Sequence, residues 1–400
     1  MTEESTDMTT EAAAVVTCPS CGEVAAPRAR YCEACGTSLA PASDGVPAVL
    51  GGTGVPGVPA GPAEPVGAVL DLDPDSGEVP AARPCAACGG RVAEDGYCEE
   101  CGTPAALERD HFEEQPAPWV AGVCDRGVRH VRNEDAMALA APEDAGRRFA
   151  VLVVCDGVSS APDSDIASLA ASRAARDVLA GYGPAGDRSV EGTVTQRIAG
   201  WTDALVASSR AAGQAVVEAA EQIAAEQIAA EQIAAEAGGD PVREPPSCTF
   251  ATAVVDGDLV VAGWIGDSRV YWLADSGHAE QLSVDDSWAQ EMIAAGVPRT
   301  QAENAPQAHA ITRWLGPDAP DSDAHCAATV PAGAGWLLVC SDGLWNYCSA
   351  ADDMFDLVTR FAGESDGDPL ATSAALVRWA NDQGGRDNIT AALARLAPLG

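Results

Sequence analysis

Short apolar runs that end at an acidic residue are the sequence feature that most constrains this fold. Phe149-Ala-Val-Leu-Val-Val-Cys155 is followed at once by Asp156-Gly157, and Trp336-Leu-Leu-Val-Cys340 by Ser341-Asp342-Gly343. Runs of this length, rich in β-branched residues and bounded by turn residues, predict buried strands. Each such strand would bring a carboxylate to one edge of a sheet.

A helical pattern follows each of these runs. Residues 164–181 and 368–382 have the apolar spacing of helices, so the chain from Trp119 onward predicts a mixed domain of about 280 residues. Residues 219–233 repeat Ala-Ala-Glu-Gln-Ile three times. Most of these residues favour helix, but a period of five does not match 3.6, so the Ile residues spiral around the axis. We expect an expanded surface helix there and not a dedicated interaction site.

A cysteine pattern occurs twice in the first hundred residues. Each copy has two Cys-x-x-Cys pairs, and the second pair reads Tyr-Cys-x-x-Cys-Gly. Four thiolates can enclose a tetrahedral zinc ion, and four protein ligands make such a site structural. The alternative is redox-active cysteine pairs. We expect two zinc ions per chain, bound by Cys18, Cys21, Cys32 and Cys35 and by Cys85, Cys88, Cys98 and Cys101.

Composition divides the chain into regions. The expected zinc ribbons occupy 1–39 and 84–104. Residues 40–83 are rich in Pro, Gly, Ala and Val and lack Cys and aromatic residues, so they predict a flexible linker. A second linker is expected at 105–117, and the main domain at 118–397.

The net charge of −37, from 23 basic and 60 acidic residues, argues against nucleic acid or an anionic membrane as a partner. Cations are the natural counter-partners. No run approaches the roughly 18 apolar residues of a membrane span, and Met1-Thr2-Glu3-Glu4 does not resemble a secretory signal. The expected location is therefore cytoplasmic.

Acidic residues at the ends of apolar runs are the candidate site. They are found in Asn133-Glu134-Asp135, Asp156-Gly157, Gly266-Asp267-Ser268-Arg269, Ser341-Asp342-Gly343 and Asp387-Asn388. A single Asp-Gly after a strand is often only a turn, but five such segments together indicate a site. Carboxylates with few His or Cys ligands suit Mg²⁺ or Mn²⁺ and not Zn²⁺. A two-ion site can activate water against a phosphoryl group without a nucleophilic side chain.

These motifs, in this order over 119–396, resemble the type 2C metal-dependent protein phosphatase (PPM) family. The resemblance rests on Asp125-Arg126-Gly127 with Arg132-Asn133-Glu134-Asp135, on Asp156-Gly157, on Gly266-Asp267-Ser268-Arg269, on Ser341-Asp342-Gly343 and on Gly385-Arg386-Asp387-Asn388. It implies an α+β fold, an αββα sandwich of two sheets flanked by helices. It also implies hydrolysis of phosphoserine or phosphothreonine on proteins by a metal-activated water.

The resemblance also assigns roles at the site. Asp156 would bridge two Mn or Mg ions, and the carbonyl of Gly157 would bind one of them. Asp342 and Asp387 would bind the first ion and Glu134 the second, with Asp135 in support. Asp267 would help to hold a third, weaker ion. These implied metal residues are Glu134, Asp135, Asp156, Gly157, Asp267, Asp342 and Asp387.

Two positions depart from the family pattern. His130 stands where an Arg usually grips the substrate phosphate, and either Arg129 or Arg132 could replace that Arg. Ser159 and Ser160 replace the paired glycines that follow the metal ligand. His309 and His325 are expected to be surface or structural side chains and not ligands.

Two functional hypotheses remain open from the sequence. The first is an active phosphatase with phosphoprotein substrates, within a Ser/Thr kinase system or a stress response, and with zinc ribbons that bind protein. The second is a phosphatase-like module with regulatory or binding function and little catalysis.

Overall fold

The computed structural model describes residues 16–17, 24–25, 89–93, 97–102, 105, 107–142, 148–184, 190–234 and 244–397. The chain divides into two compact units, Ala40–Leu107 and the combination of Met1–Leu39 with Glu108–Gly400. Among the described residues, no helix is both long and apolar enough to cross a membrane.

The ribbon regions are described only in part. Strands β1 (Val16–Thr17) and β2 (Val24–Ala25) pair antiparallel on either side of the first Cys-x-x-Cys. In the second unit, Gly102 donates its N–H to the carbonyl of Cys98 at 2.9 Å and has φ +70°, so this glycine closes the turn after the cysteine pair. The other six predicted zinc ligands, Cys18, Cys21, Cys32, Cys35, Cys85 and Cys88, lie outside the described residues.

The described residues form eleven further strands in two antiparallel sheets. Sheet I has the order β10-β9-β12-β13-β4-β3 and sheet II the order β11-β8-β7-β6-β5. The strands are β3 His111–Ala117, β4 Val120–Asp125, β5 Ala136–Ala140, β6 Phe149–Cys155, β7 Phe250–Asp256, β8 Leu259–Ile265, β9 Arg269–Ala274, β10 Ala279–Gln281, β11 His325–Thr329, β12 Gly335–Cys340 and β13 Ile389–Leu396.

The part of the chain that the structure describes also contains seven α-helices. They are α1 Ser164–Gly181, α2 Val194–Ala234, α3 Trp288–Ala294, α4 Arg299–Glu303, α5 Asp342–Trp345, α6 Ala351–Glu364 and α7 Pro369–Gln383. The strands predicted at 149–155 and 336–340 and the helices predicted at 164–181 and 368–382 are confirmed. The five-residue repeat lies in α2, as expected for a helix.

The sandwich explains why its strands are apolar throughout. In β6, Leu152 and Val154 face a core between the two sheets, whereas Phe149, Val151 and Val153 pack with residues of α1 and α2 in a second core. Because side chains alternate along a strand, burial of both faces requires a continuous apolar run. A third core packs the outer face of sheet I against α5, α6 and α7. The αββα sandwich is thus confirmed.

The expected linker at 105–117 is wrong over its last seven residues. His111–Ala117 forms the edge strand β3, which pairs with β4, and Phe112 packs against the core between the sheets. The strand was missed because only one face of an edge strand is buried. An acidic segment with a single large apolar side chain can form such a strand, so the sequence shows no continuous apolar run.

Strand direction gathers the acidic motifs at one edge. The end of β4 pairs with the start of β13 (Asp125 with Ile389), and the end of β12 with the start of β9 (Cys340 with Arg269). In sheet II the start of β5 pairs with the end of β6 (Ala136 with Cys155). The segments that carry the predicted ligands therefore leave both sheets at the same end of the sandwich.

Candidate metal centre

The loop that carries Glu134 is fixed from two sides. Asn388 accepts a hydrogen bond from the N–H of Glu134 at 2.7 Å and donates from its own amide to the carbonyls of Arg126 and Arg132. Arg109 donates to the carbonyls of Asn133 at 2.8 Å and Asp135 at 3.1 Å. These bonds place the Glu134 side chain, of which 4% is exposed, in the site.

Asp135 is fully buried behind this loop. Its Oδ2 accepts hydrogen bonds from the hydroxyls of Ser341 and Thr390, both at 2.7 Å. Its Oδ1 has no hydrogen-bond partner. Burial raises the pKa of Asp135 to about 6, although the two hydroxyls oppose the shift. These two bonds join Asp135 to the segments that carry two other predicted ligands, Asp342 and Asp387.

Asp156 and Gly157 follow β6. The N–H of Asp156 donates to the Thr249 hydroxyl at 3.0 Å, and the Asp156 carbonyl accepts from the N–H of Thr249 at 2.7 Å. A Cβ on Gly157 would lie 2.7 Å from the carbonyl oxygen of Glu134, so only glycine allows this close approach. Ser159 and Ser160 are half-buried and are accommodated without loss of that contact.

Asp342 begins α5 after β12, and Asp387 precedes β13. The amide of Asn346 donates to Oδ2 of Asp342 at 2.9 Å, while Oδ1 of Asp342 is buried without a partner. Asp387 Oδ1 accepts from the N–H of Asn388 at 2.8 Å. Asp267 lies in the turn between β8 and β9 and is 4% exposed.

These carboxylates repel one another. Burial raises the pKa of Asp156 well above its ordinary value, and the charges of Asp135 and Asp342 raise it further. Burial likewise raises the pKa values of Asp267 and Asp387, in both cases with Asp342 as the largest charge contribution. A cation would relieve this repulsion. Oxygen donors, unpartnered oxygens on Asp135 and Asp342 and the close approach at Gly157 all fit Mg²⁺ or Mn²⁺.

His130 lies inside this cluster. Its Nε2 is 3.3 Å from Asp387 Oδ1 and its Nδ1 3.9 Å from Glu134 Oε2, and 4% of its side chain is exposed. Burial lowers the pKa of His130, although the charge of Asp342 opposes this. A lowered pKa makes the imidazole less cationic than the Arg of the family pattern.

The two arginines that could replace it differ in position. Arg132 donates from Nε and NH2 to Oε1 of Glu134 at 2.9 and 2.6 Å, whereas Arg129 is exposed. Burial raises the pKa of Glu134, and Arg132 and the Ser159 hydroxyl oppose the shift. The Arg132 guanidinium thus lies at the site, where it is bound to the Glu134 carboxylate.

Sequence reasoning missed a buried ion pair behind Asp267. Arg269 is 1% exposed and binds Asp285 with Nε and NH2, at distances of 2.6 to 3.1 Å. Its guanidinium lies 3.6 Å from the ring centroid of Trp345, whose indole N–H donates to the carbonyl of Asp267 at 2.9 Å. The Gly-Asp-Ser-Arg motif signalled Asp267, but nothing in the sequence marked Asp285 or Trp345 as partners of its Arg.

Comparison with known families decides the identity of the larger unit. Residues 126–380, more than half of the chain, match the sequence model of the family described as Protein phosphatase 2C. The chain belongs to the protein phosphatase 2C family. The matched range contains Glu134, Asp156, Asp267 and Asp342, while Asp387 lies just beyond it. Residues 18–102 match the family described as Double zinc ribbon. This matched range contains all eight predicted zinc ligands.

Curated relatives of this protein phosphatase 2C chain include protein phosphatase PhpP of Streptococcus pneumoniae serotype 2 (strain D39 / NCTC 7466). It is 34% identical over 143 residues, which are 35% of this chain and 54% of PhpP. The chain thus spans about half the length of the curated relatives that it matches.

Solved structures similar to this chain include the serine/threonine phosphatase Stp1 from Staphylococcus aureus, with 21% identity and a TM-score of 0.54 over 73% of this chain and 100% of that one. Another is the Mycobacterium tuberculosis serine/threonine phosphatase PstP/Ppp, with 23% identity and a TM-score of 0.51 over 70% of this chain and 98% of that one. At these identities the similarity shows the fold alone.

Proposed function

We propose that this chain is a metal-dependent protein serine/threonine phosphatase. The observation that carries the proposal is the convergence of several carboxylates at one edge of a protein phosphatase 2C sandwich, where, among the described residues, only Glu134 is paired with an arginine. Burial of several like charges is costly unless a cation binds among them. A phosphatase-like binding module would not need this full set of carboxylates.

In this proposal the chain supplies oxygen ligands for two Mn or Mg ions. Asp156, the Gly157 carbonyl, Asp342 and Asp387 would hold the first ion, and Asp156 and Glu134 would hold the second. Two such ions, when bound, supply an activated water and neutralise charge on the phosphoryl oxygens. Asp135 orients the cluster through its bonds to the hydroxyls of Ser341 and Thr390.

We assign the phosphate contact to Arg132 and not to Arg129. Arg132 is already at the site with its planar guanidinium on Glu134, and 40% of its side chain is exposed, so it can turn toward an incoming phosphate. When Glu134 binds a cation, its charge is shared and the guanidinium is freed for bidentate phosphate binding. His130, whose pKa is lowered by burial, lies beside Asp387.

The expected substrates are phosphoserine and phosphothreonine in proteins, because Stp1 and PstP/Ppp are named as serine/threonine phosphatases. The full chain, dialysed free of Mg and Mn, should release phosphate from a phosphoserine peptide only after either metal is added. A phosphotyrosine peptide is the control and should be cleaved much more slowly. Equal release without added metal, or none with it, would contradict the proposal.

The match at residues 18–102 supports two zinc ions per chain, held by the eight cysteines of the Cys-x-x-Cys pairs. We propose that they are structural and that the ribbons bind a protein partner. Elemental analysis after removal of Mn and Mg should still find two zinc ions per chain, because thiolate ligands retain zinc. Fewer than two would contradict this part of the proposal.

A further inference from the structure

Two exposed arginines lie beside the edge that carries the candidate metal ligands, one on each of two loops that touch. The N–H groups of Val128 and Arg129 donate to the carbonyl of Gly385 at 3.0 and 3.1 Å, and Arg386 follows Gly385 in the chain. A Cβ on Gly385 would lie 2.6 Å from the Cγ2 atom of Val128, so the loops are in close contact. Arg129 and Arg386 are both exposed. We call these two residues the arginine rim.

The backbone of the arginine rim is held in place. The N–H of Arg386 donates to the Tyr347 hydroxyl at 3.1 Å. The Tyr347 ring in turn packs edge-on against Trp379, with ring centroids 6.3 Å apart and planes inclined by 84°. The two hydrogen bonds to Gly385 hold the other loop against this one. A surface whose backbone is already ordered loses less entropy when a ligand binds.

Each arginine is next in sequence to a residue of the candidate site. Arg129 precedes His130 and Arg386 precedes Asp387. The Nε2 atom of His130 lies 3.3 Å from Oδ1 of Asp387. An extended peptide rises about 3.3 Å per residue. Groups within one to three residues of a phosphoserine bound at the site can therefore reach the arginine rim.

The two guanidinium groups are unpaired among the described residues of a chain that is rich in carboxylates. The chain has 60 acidic and 23 basic residues. On the same loop as Arg129, Arg132 binds Glu134 with two hydrogen bonds. Neither Arg129 nor Arg386 forms an ion pair within the part of the chain that the structure describes. Their charges are therefore available to an anion from solution.

We propose that the arginine rim binds an anionic group of the substrate, a carboxylate or a second phosphate, close to the phosphoserine. The inference rests on the proposed function and names its substrate class, which is phosphoproteins with acidic or phosphorylated residues beside the phosphate that is hydrolysed. Arg132 keeps its contact with that phosphate. Guanidinium groups bind carboxylates and phosphates through charge-assisted hydrogen bonds.

The net charge of the chain makes the opposite expectation. A charge of −37 favours basic sequences, because the field of the whole protein attracts cationic partners. The arginine rim reverses this preference locally, where the substrate is bound. Acidic and basic flanking residues thus distinguish recognition by the rim from attraction by the overall charge.

The test is the affinity of the full chain, in the presence of Mn²⁺, for fluorescent peptides that carry a non-hydrolysable phosphonate analogue of phosphoserine. Four peptides differ only in the residues that flank this group, which are alanine, aspartate, a second phosphonate or lysine. We expect the two anionic peptides to bind about fivefold tighter than the alanine peptide, as two exposed ion pairs would give. Tighter binding of only one of them assigns the rim to that anion.

Arg129→Ala and Arg386→Ala should each reduce this preference, and the double variant should abolish it. Arg395→Ala is the control, because it removes an arginine near the other end of β13, where it pairs with Asp275. This variant should keep the preference. Salt of about 0.5 M should weaken the preference in the unmodified chain, since exposed charges are screened.

Equal affinity for the alanine peptide and both anionic peptides overturns the inference, as does tightest binding of the lysine peptide. A preference that survives in the double variant also overturns it, and so does failure of every peptide to bind. Because no peptide is hydrolysed, binding is measured independently of catalysis. A chain that shows the preference but releases no phosphate from phosphoserine peptides would refute the proposed function alone.

Discussion

Buried carboxylates near the strand ends are of two kinds. Asp285 is paired with Arg269, which is itself saturated with hydrogen bonds. Asp156, Asp267 and Asp387 have no such guanidinium, and burial raises their pKa values. The charge of Asp285 is therefore compensated by an arginine of the chain, whereas the carboxylates of the candidate metal centre would need cations from solution. This contrast separates structural from functional acids more clearly than burial does.

The Arg269 pair should be important for stability. Arg269→Leu leaves Asp285, 8% exposed, without its partner, so we expect a loss of about 3–5 kcal/mol in the free energy of unfolding. The double change Arg269→Leu with Asp285→Leu should recover most of that loss. Urea unfolding followed by Trp fluorescence measures both.

A matched control is the exposed pair between Arg395 and Asp275, with distances of 2.7 and 2.9 Å. Arg395→Ala should cost about 0–1 kcal/mol because solvent screens exposed pairs. If Arg269→Leu costs no more than Arg395→Ala, the buried pair does not stabilise the fold as described.

Arg132 should act on substrate and not on metal. Arg132→Ala is expected to raise KM for a phosphoserine peptide about tenfold, since it removes a charge-assisted contact. Mn²⁺ affinity should be unchanged or tighter, because a competing cation leaves Glu134. Arg129→Ala should change KM less. Weaker Mn²⁺ binding in Arg132→Ala with an unchanged KM would instead make Arg132 a positioning residue for Glu134.

At the scale of elements, close packing of strand ends places the ligands. A Cβ on Gly343, in the first turn of α5, would lie 1.9 Å from the carbonyl oxygen of Asn388 at the start of β13. This contact joins the segment of Asp342 to the segment of Asp387. Neither side chain can therefore be positioned independently of the other.

Gly343→Ala should move these segments apart. We expect a loss of about 1–3 kcal/mol in stability and a weaker apparent Mn²⁺ affinity, both measured by thermal unfolding with and without metal. Gly333→Ala, where a Cβ meets nothing within 4 Å, is the control and should leave both quantities nearly unchanged. Equal Mn²⁺ affinity in the two variants would contradict the coupling.

The sequence predicts elements well where both faces of a strand are buried. β6 and β12 follow from their apolar runs, and α1 and α7 from helical spacing. The edge strand β3 does not, because one buried face imposes little pattern on His111–Ala117. Arg109 was also missed. It precedes β3 in the expected linker, and it donates hydrogen bonds to backbone carbonyls of a loop that is distant in sequence.

At the scale of the molecule, repulsion among the carboxylates of the site should lower the stability of the metal-free protein. Burial raises the pKa of Asp135 to about 6 and raises those of Asp156, Asp267 and Asp387 well above their ordinary value. Folded protein without metal thus binds more protons than unfolded protein above pH of about 4, where free carboxyls ionise. Its stability must fall as pH rises through this range.

We therefore expect the Tm of the chain free of Mn and Mg to be higher at pH 5.5 than at pH 7.5. Added Mn²⁺ should raise Tm more at pH 7.5, because the ligands bind metal when deprotonated. Repeating the scan in about 1 M salt is the control, since salt screens surface charges far more than buried ones. A metal-free Tm that rises with pH over this interval would contradict the assignment.

The motifs of the sequence name the carboxylates of the candidate site, because these residues lie at strand ends. The motifs do not name the other side chains that the fold brings next to these carboxylates. His309 reaches Asp342 only through the folded path of the loop between α4 and β11, and a lone histidine carries no spacing signal. His130 was noted by position, yet its burial between Glu134 and Asp387 follows only from the structure.

The most direct test of the central claim is turnover of a phosphoserine peptide by Asp156→Asn at saturating Mn²⁺. We expect kcat to fall at least about a hundredfold, because the bridging carboxylate is lost. The metal-free Tm should rise, since one repelling charge is removed and the shape is kept. Asp275→Asn, at an exposed pair, should leave turnover unchanged. Turnover in Asp156→Asn within about tenfold of the unmodified chain would contradict a catalytic metal centre at this edge.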